Sequence, residues 1–347
     1  MRRYQAPLLL ALTCSSGIQA RFLGPIDPAP IDISSDGSFV RQSWENLTAT
    51  LESSLNGTAP SDELAGLHNV TFSIGAFSIN DPAVAGCFQY HHASPDVVNS
   101  TLGVNKVDGD SIYRIASLTK VVTVYAGLLQ LKPEDWSTPL SEIFPEIASL
   151  PQDDPLVYVQ WDHLTPLALA SQISGIPRDA APFNPGELYG AVTDPASTGL
   201  PVLSPNDPVL NLSCVSPTCS AVDYIRGIQT QTPLFLPWQT LGYADTNFIL
   251  LGLVISKLTG LTYEEFYRQP VFDPLGMAHT SSISPTPSNT TIKPYPGYVV
   301  TGSPAAFSFQ GGITSSSSGL FSTTNDLARL GTSILNATLL SPTASRA

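Results

Sequence analysis

The chain has 347 residues, 15 Lys+Arg against 28 Asp+Glu, and 12% charged residues, where roughly 25% is usual for a soluble domain. At 42% hydrophobic and 9% aromatic it can bury a large core, which excludes a disordered chain. A formal charge of -13 leaves no basic stripe to neutralise phosphates, which argues against nucleic acid as a partner.

The first twenty residues (1–20) read as a secretory signal peptide: Arg2 and Arg3, the apolar run from Pro7 to Leu12, then Ile18-Gln19-Ala20 as a small-residue exit site. The fold is expected in 21–347, where 13 basic residues face 28 acids. Beyond the signal no stretch reaches the ~18 apolar residues of a membrane span, since Phe248 to Ile255 is closed by Ser256, Lys257 and Gly260. A secreted, extracellular protein without a membrane partner is expected. Secretion gives meaning to seven Asn-x-Ser/Thr sequons, at Asn46, Asn56, Asn69, Asn99, Asn211, Asn289 and Asn336, which favour a eukaryotic glycoprotein. Cys14 leaves with the signal. Cys214 and Cys219, close together in a Pro/Ser-rich stretch, are expected to form a disulfide, leaving Cys87 as a buried thiol.

Apolar residues at helical spacing (Val40, Trp44, Leu47, Leu51, Leu55) predict a helix from Ser38 to a stop at Asn56-Gly57. Val70 to Ile79 and Gly86 to His91 read as paired strands, with Asp81-Pro82 in the turn between them. A short strand, Ser111 to Ile115, leads into a helix that starts at Ser117 and is stopped by Pro133. Pro139 to Pro237 is loop-rich, with helical patches at Leu164 to Gln172 and Ala221 to Gln229. Asp245 to Leu258 reads as a helix ended by Gly260, and Thr262-Tyr263-Glu264-Glu265 as a capping box opening the next. Strands first and helices in the middle predict an α+β fold in which two lobes build one catalytic unit.

The chemistry begins at Ser117-Leu118-Thr119-Lys120. A serine in the first turn of a helix has a lysine three residues on along the same face, so Oγ and Nζ can meet. A hydroxyl is a poor nucleophile without an adjacent base, and a desolvated lysine can serve. The competing reading is an N-capping serine with a solvated lysine. Tyr243, in Gly242-Tyr243-Ala244-Asp245 before a helix, can exchange protons with the nucleophile or leaving group; otherwise it packs at a helix entry with Asp245 as N-cap.

Three segments, Tyr113-Arg114-Ile115-Ala116-Ser117-Leu118-Thr119-Lys120, Leu169 to Asp179 and Tyr243-Ala244-Asp245-Thr246-Asn247-Phe248, resemble the class C β-lactamase and D-alanyl-D-alanine carboxypeptidase family, most closely its secreted fungal members. Pro274 to Met277 and Gly311 to Ala328 match later segments in the same order, so the resemblance covers about residues 40 to 340. It implies a β-lactamase/transpeptidase-like fold, an antiparallel sheet flanked by helices plus a helical lobe. It also implies Ser117 as acylated nucleophile, Lys120 as its proton partner, Tyr243 as general base or acid, and Asp245 beside the substrate.

Two departures stand out. The family usually has Asn where this chain has Asp245, and a carboxylate near Lys120 favours the charged lysine. The family's third motif, Lys-Thr-Gly or His-x-Gly on a strand that completes the oxyanion hole, has no convincing counterpart: Lys257-Leu258-Thr259-Gly260, Val300-Thr301-Gly302 and His279-Thr280-Ser281 each lack a feature. In the family that strand follows the segment matched by Gly311 to Ala328, and the nineteen residues from Arg329 to Ala347 are too few for three strands. The resemblance therefore implies a truncated chain with an incomplete sheet.

There is no Gly-x-Ser-x-Gly elbow, His-Glu-x-x-His, phosphate-binding glycine loop or Cys-x-x-Cys. No cofactor is expected. Nor is a metal, because His91 and His92, adjacent on a strand, point to opposite faces, while His163 and His279 read as structural or surface histidines. The sequence thus predicts a serine hydrolase or acyl transferase acting on a small ester or amide through Ser117. The alternative is a catalytically silent secreted glycoprotein, or a fragment, that keeps the fold for binding.

Overall fold

A computed structural model of the chain describes residues 30–59, 61–100, 103–178, 220–229, 231–284, 299 and 312–341. The expected signal peptide, the Cys214–Cys219 pair and the sequons at Asn211 and Asn289 lie outside the described residues. The other five sequon asparagines, Asn46, Asn56, Asn69, Asn99 and Asn336, are all exposed.

The first helix is Phe39–Leu55. Ser38 caps it, its Oγ accepting from the N–H of Val40 at 3.2 Å and of Arg41 at 3.5 Å. Trp44 stacks on Phe88 at 5.4 Å between ring centroids, which docks the helix against the first hairpin. There β1 (Phe72–Gly75) pairs antiparallel with β2 (Gln89–His92), with Phe72 opposite His92 and Gly75 opposite Gln89. The second strand is shorter than its alternation suggests, because Val84–Cys87 is a helical turn. The Asp81 carboxylate accepts from the Ala83 N–H at 3.2 Å, so Asp81-Pro82, between the two strands as expected, starts that helical turn. This also overturns the buried thiol expected at Cys87: on the helical turn the cysteine is exposed and unpaired.

A second ladder positions the site. β3 (Tyr113–Arg114) pairs antiparallel with β4 (Phe321–Ser322), a partner about 200 residues away in sequence. Ile115 N–H extends the ladder to the Leu320 carbonyl at 3.1 Å. Where it stops, the chain takes a 3-10 turn, Ala116–Leu118, into the helix Thr119–Gln130.

The core is helical. In the helix Asp245–Thr259 every residue from Thr246 to Ile255 is buried, so it reads as an apolar run, not an amphipathic stripe. Gly260 ends it at φ 74°, a left-handed C-terminal position that glycine takes without steric cost. Thr262 and Glu265 then form the expected capping box of the helix Tyr263–Tyr267. The short helices Pro166–Ala170 and Ser315–Ser318 both pack on the Asp245–Thr259 helix, and the second also packs on Thr119–Gln130. The packing of Ser315–Ser318 on the Asp245–Thr259 helix is tight: a Cβ on Gly252 would stand 2.2 Å from Ser316 Oγ. Trp161, Tyr224, Tyr267, Phe266 and Phe272 fill the space around these helices. Among the described residues no single helix is long and apolar enough to cross a membrane.

Candidate active site

Three elements converge on Ser117. The first is its own 3-10 turn. Ala116, immediately before it, has φ 43°, in the left-handed region that alanine enters only at a cost. That backbone turns the chain sharply from β3 into the helix and leaves Ser117 on the outer side of the turn, with Lys120 one turn further along. The second element is the helix start at Asp245, and the third is the Ser315–Ser318 turn.

Lys120 joins all three. Although a lysine, it is only 6% exposed. Its Nζ donates to Ser117 Oγ at 3.0 Å, to Asp245 Oδ1 at 2.5 Å and to the main-chain oxygen of Ser317 at 3.0 Å. An ammonium has three N–H donors and here meets three acceptors. Asp245, when ionised, and the Ser317 carbonyl can only accept, whereas the Ser117 hydroxyl can also donate a hydrogen bond of its own.

Ser117 Oγ has a second partner, the Tyr243 hydroxyl at 2.6 Å. Tyr243 is 47% exposed, so this oxygen faces both the serine and open space where a leaving group could sit. Two cations attend its ring: Lys120 Nζ is 4.9 Å and the Arg178 guanidinium 5.5 Å from the centroid, both within cation–π range. Lys120 also lines a cleft of about 410 Å³ with Val121, Val124, Leu128 and Phe248 in its walls.

The structure thus gathers Ser117, Lys120, Tyr243 and Asp245 in one hydrogen-bonded cluster. Asp245 does not cap its helix; Ala244 is the N-cap residue, and the Asp245 carboxylate turns to Lys120. The histidines lie elsewhere. His91 bonds Ser73 Oγ at 2.8 Å and Gln89 Oε1 at 3.0 Å, while His92 bonds the His68 carbonyl at 3.2 Å. Burial lowers the His91 pKa below the ordinary imidazole value, partly opposed by the charge of Asp108. Among the described residues no three His, Cys, Asp or Glu side chains are grouped to hold a metal, and the two short ladders are the sheets present.

Sequence reasoning missed three parts of this site. The Ser317 carbonyl belongs to a run of four serines whose composition gave no hint of an acceptor for lysine. Ala116 carries no side-chain signal for its left-handed backbone. Gln172 lay within a segment matched to the family but had no role assigned to it.

A serine placed where a short strand turns into a helix, sharing its hydroxyl between lysine and tyrosine, on an α+β scaffold of buried helices, defines the β-lactamase/transpeptidase-like fold. The Beta-lactamase family profile matches residues 90–347, and the chain belongs to that family. It is similar to a "Beta-lactamase-like protein" of Arthroderma benhamiae, with 27% identity over 91% of this chain and 50% of the relative. It is also similar to a "Probable hydrolase" of Phoma sp., with 24% identity over 94% of this chain and 52% of the relative. The chain spans about half the length of these curated relatives. Among solved structures, the D-alanine carboxypeptidase AmpC of Burkholderia cenocepacia superposes with a TM-score of 0.53 at 16% identity, covering 88% of this chain and 68% of that one. The D-amino acid amidase of Ochrobactrum anthropi gives 0.51 at 18% identity, covering 85% and 74%. Both share the fold.

Proposed function

We propose that the protein is a secreted serine hydrolase that cleaves a small ester or amide through an acyl-enzyme on Ser117. The observation that carries the reading is the pair of hydrogen bonds at Ser117 Oγ, 2.6 Å to Tyr243 and 3.0 Å to Lys120, which gives the hydroxyl a path for its proton. Ser117 Oγ forms a bond to the substrate carbonyl carbon. Its proton passes to Tyr243 Oη as the tyrosine gives its own hydrogen to the leaving nitrogen or oxygen, whose bond to the carbonyl carbon breaks. Water then attacks the ester, its proton returning by the same route to Ser117 Oγ as the acid leaves. Lys120 holds Ser117 and Tyr243 in line and places positive charge beside both, while Asp245 and the Ser317 carbonyl hold Lys120. Membership of the Beta-lactamase family and the hydrolase name of a relative agree with this reading. The exposed sequon asparagines agree with a glycosylated, secreted chain, and a Cys214–Cys219 disulfide belongs to the same proposal.

Turnover of 4-nitrophenyl esters and of amino acid anilides, with Ser117→Ala as the control, tests it. Release of nitrophenol or aniline that disappears in the variant is expected; release that survives it contradicts the assignment. A second reading, a silent binding protein, is favoured by one observation, the Lys120–Asp245 ion pair at 2.5 Å, which ties the lysine down. Binding of an ester analogue without turnover would select it.

A further inference from the structure

We propose that Gln172 is the positioning residue for Tyr243, setting the contact of its hydroxyl with Ser117; this rests on the hydrolase reading above. Gln172 has φ 61°, a left-handed backbone that glutamine has no local reason to adopt. The consequence is that one residue offers two acceptors to one loop. Its main-chain oxygen accepts from the Gly242 N–H at 2.8 Å, and its side-chain Oε1 accepts from the Ala244 N–H at 2.9 Å. These are the main-chain donors immediately before and after Tyr243.

The clamp is itself anchored. Oε1 also accepts from Asn247 Nδ2 at 2.9 Å. Asn247 is fully buried, and its Oδ1 accepts from Ser174 Oγ at 2.5 Å, while the Ile176 N–H donates to the same Oγ at 3.1 Å. The whole chain of bonds is buried or half-buried, so Gln172 Oε1 has little freedom to drift. Tyr243, by contrast, is half-exposed, and its hydroxyl has Ser117 as its hydrogen-bond partner. The position of that hydroxyl is therefore set through the backbone on either side of it. Gln172 does not touch Ser117; it acts through Tyr243.

The test is the rate of Ser117 labelling by a fluorophosphonate in four proteins: the unaltered chain, Gln172→Met, Tyr243→Phe and the double variant. Methionine matches glutamine in length and offers no oxygen. If Gln172 works by aiming Tyr243, Gln172→Met slows labelling on the order of 10²-fold when Tyr243 is present, and by no more than about twofold in the Tyr243→Phe background. Gln172→Glu keeps an oxygen for both donors and restores most of the rate. Equal slowing in both backgrounds marks a merely structural loop staple and overturns the proposal, as does undiminished labelling of Gln172→Met. If Gln172→Met does not fold, Gln172→Asn replaces it, since asparagine tolerates the left-handed backbone but is one methylene too short to reach Ala244; the same outcomes then apply. An unaltered chain that takes no label on Ser117 overturns the hydrolase reading and this proposal together, whereas a labelled chain indifferent to Gln172→Met overturns this proposal alone.

Discussion

Removing the Lys120 ammonium tests whether the centre of the site is an interacting unit. Lys120→Met keeps most of the side-chain volume and deletes the cation. Asp245 then loses the partner at 2.5 Å, with its side chain only 22% exposed, and the Ser317 carbonyl loses its donor at 3.0 Å. Breaking a fully buried ion pair from one side costs roughly 3–5 kcal/mol. Water can still reach part of Asp245, so the cost here is about 2–3 kcal/mol. Asp245→Asn leaves the ammonium a neutral oxygen acceptor and costs about 1 kcal/mol. The double variant has no stranded charge, so its loss should fall short of the sum of the two by about 1–2 kcal/mol. Urea unfolding followed by tryptophan fluorescence measures all three, because Trp161 sits fully buried in the core. Losses that add to within about 0.5 kcal/mol would refute the reasoning, since they would mean that the carboxylate and the ammonium do not depend on each other.

Three further outcomes are expected. Tyr243→Phe should slow acylation by roughly 10²-fold or more and leave the unfolding midpoint nearly unchanged, because the ring is half-exposed; a matching loss of stability would place the hydroxyl among structural groups. Gly252→Ala should destabilise the fold by about 1–3 kcal/mol, since the new methyl would come 2.2 Å from Ser316 Oγ, and an unchanged urea midpoint contradicts that packing. The lowered His91 pKa means that the unfolded chain takes up a proton first as pH falls. Its contribution is thus present above the ordinary imidazole value and is lost between that value and the lower folded one. The thermal midpoint should fall between about pH 7.5 and 5 and fall less steeply in His91→Gln; identical slopes would exclude His91.

The parts of the fold legible in sequence were those governed by local chemistry. Ser38 before an apolar repeat, Gly260 after an apolar run and the Thr262–Glu265 box each state a helix boundary in the residues that satisfy its free N–H and C=O groups. The β1–β2 pairing was legible from alternation, but the start of β2 was not, because the helical turn ending at Cys87 comes from a side-chain bond by Asp81 that alternation does not register. The partner of β3 was not legible either: β4 is two residues long, too short for any period to appear, and its pairing is set by the packing of helices between the two. In the site, Ser117, Lys120 and Tyr243 were readable not from their spacing alone, which recurs by chance, but from the place of Ser117 at the start of an apolar helix and from the order of the family-like segments around them. The direction taken by the Asp245 carboxylate was not. Capping its own helix and pairing with Lys120 are both local possibilities for an acid at a helix start, and the choice follows from the 3-10 turn that brings Lys120 underneath it.

The central claim is that Ser117 is a nucleophile that becomes acylated. Intact-mass spectrometry of the full chain after incubation with a fluorophosphonate, followed by peptide mapping, tests it most directly. The account predicts a single adduct on the peptide containing Ser117, formed by the unaltered chain, slowed in Tyr243→Phe and absent in Ser117→Ala. An adduct on any other residue, or an unlabelled chain whose unfolding transition is intact, would contradict it.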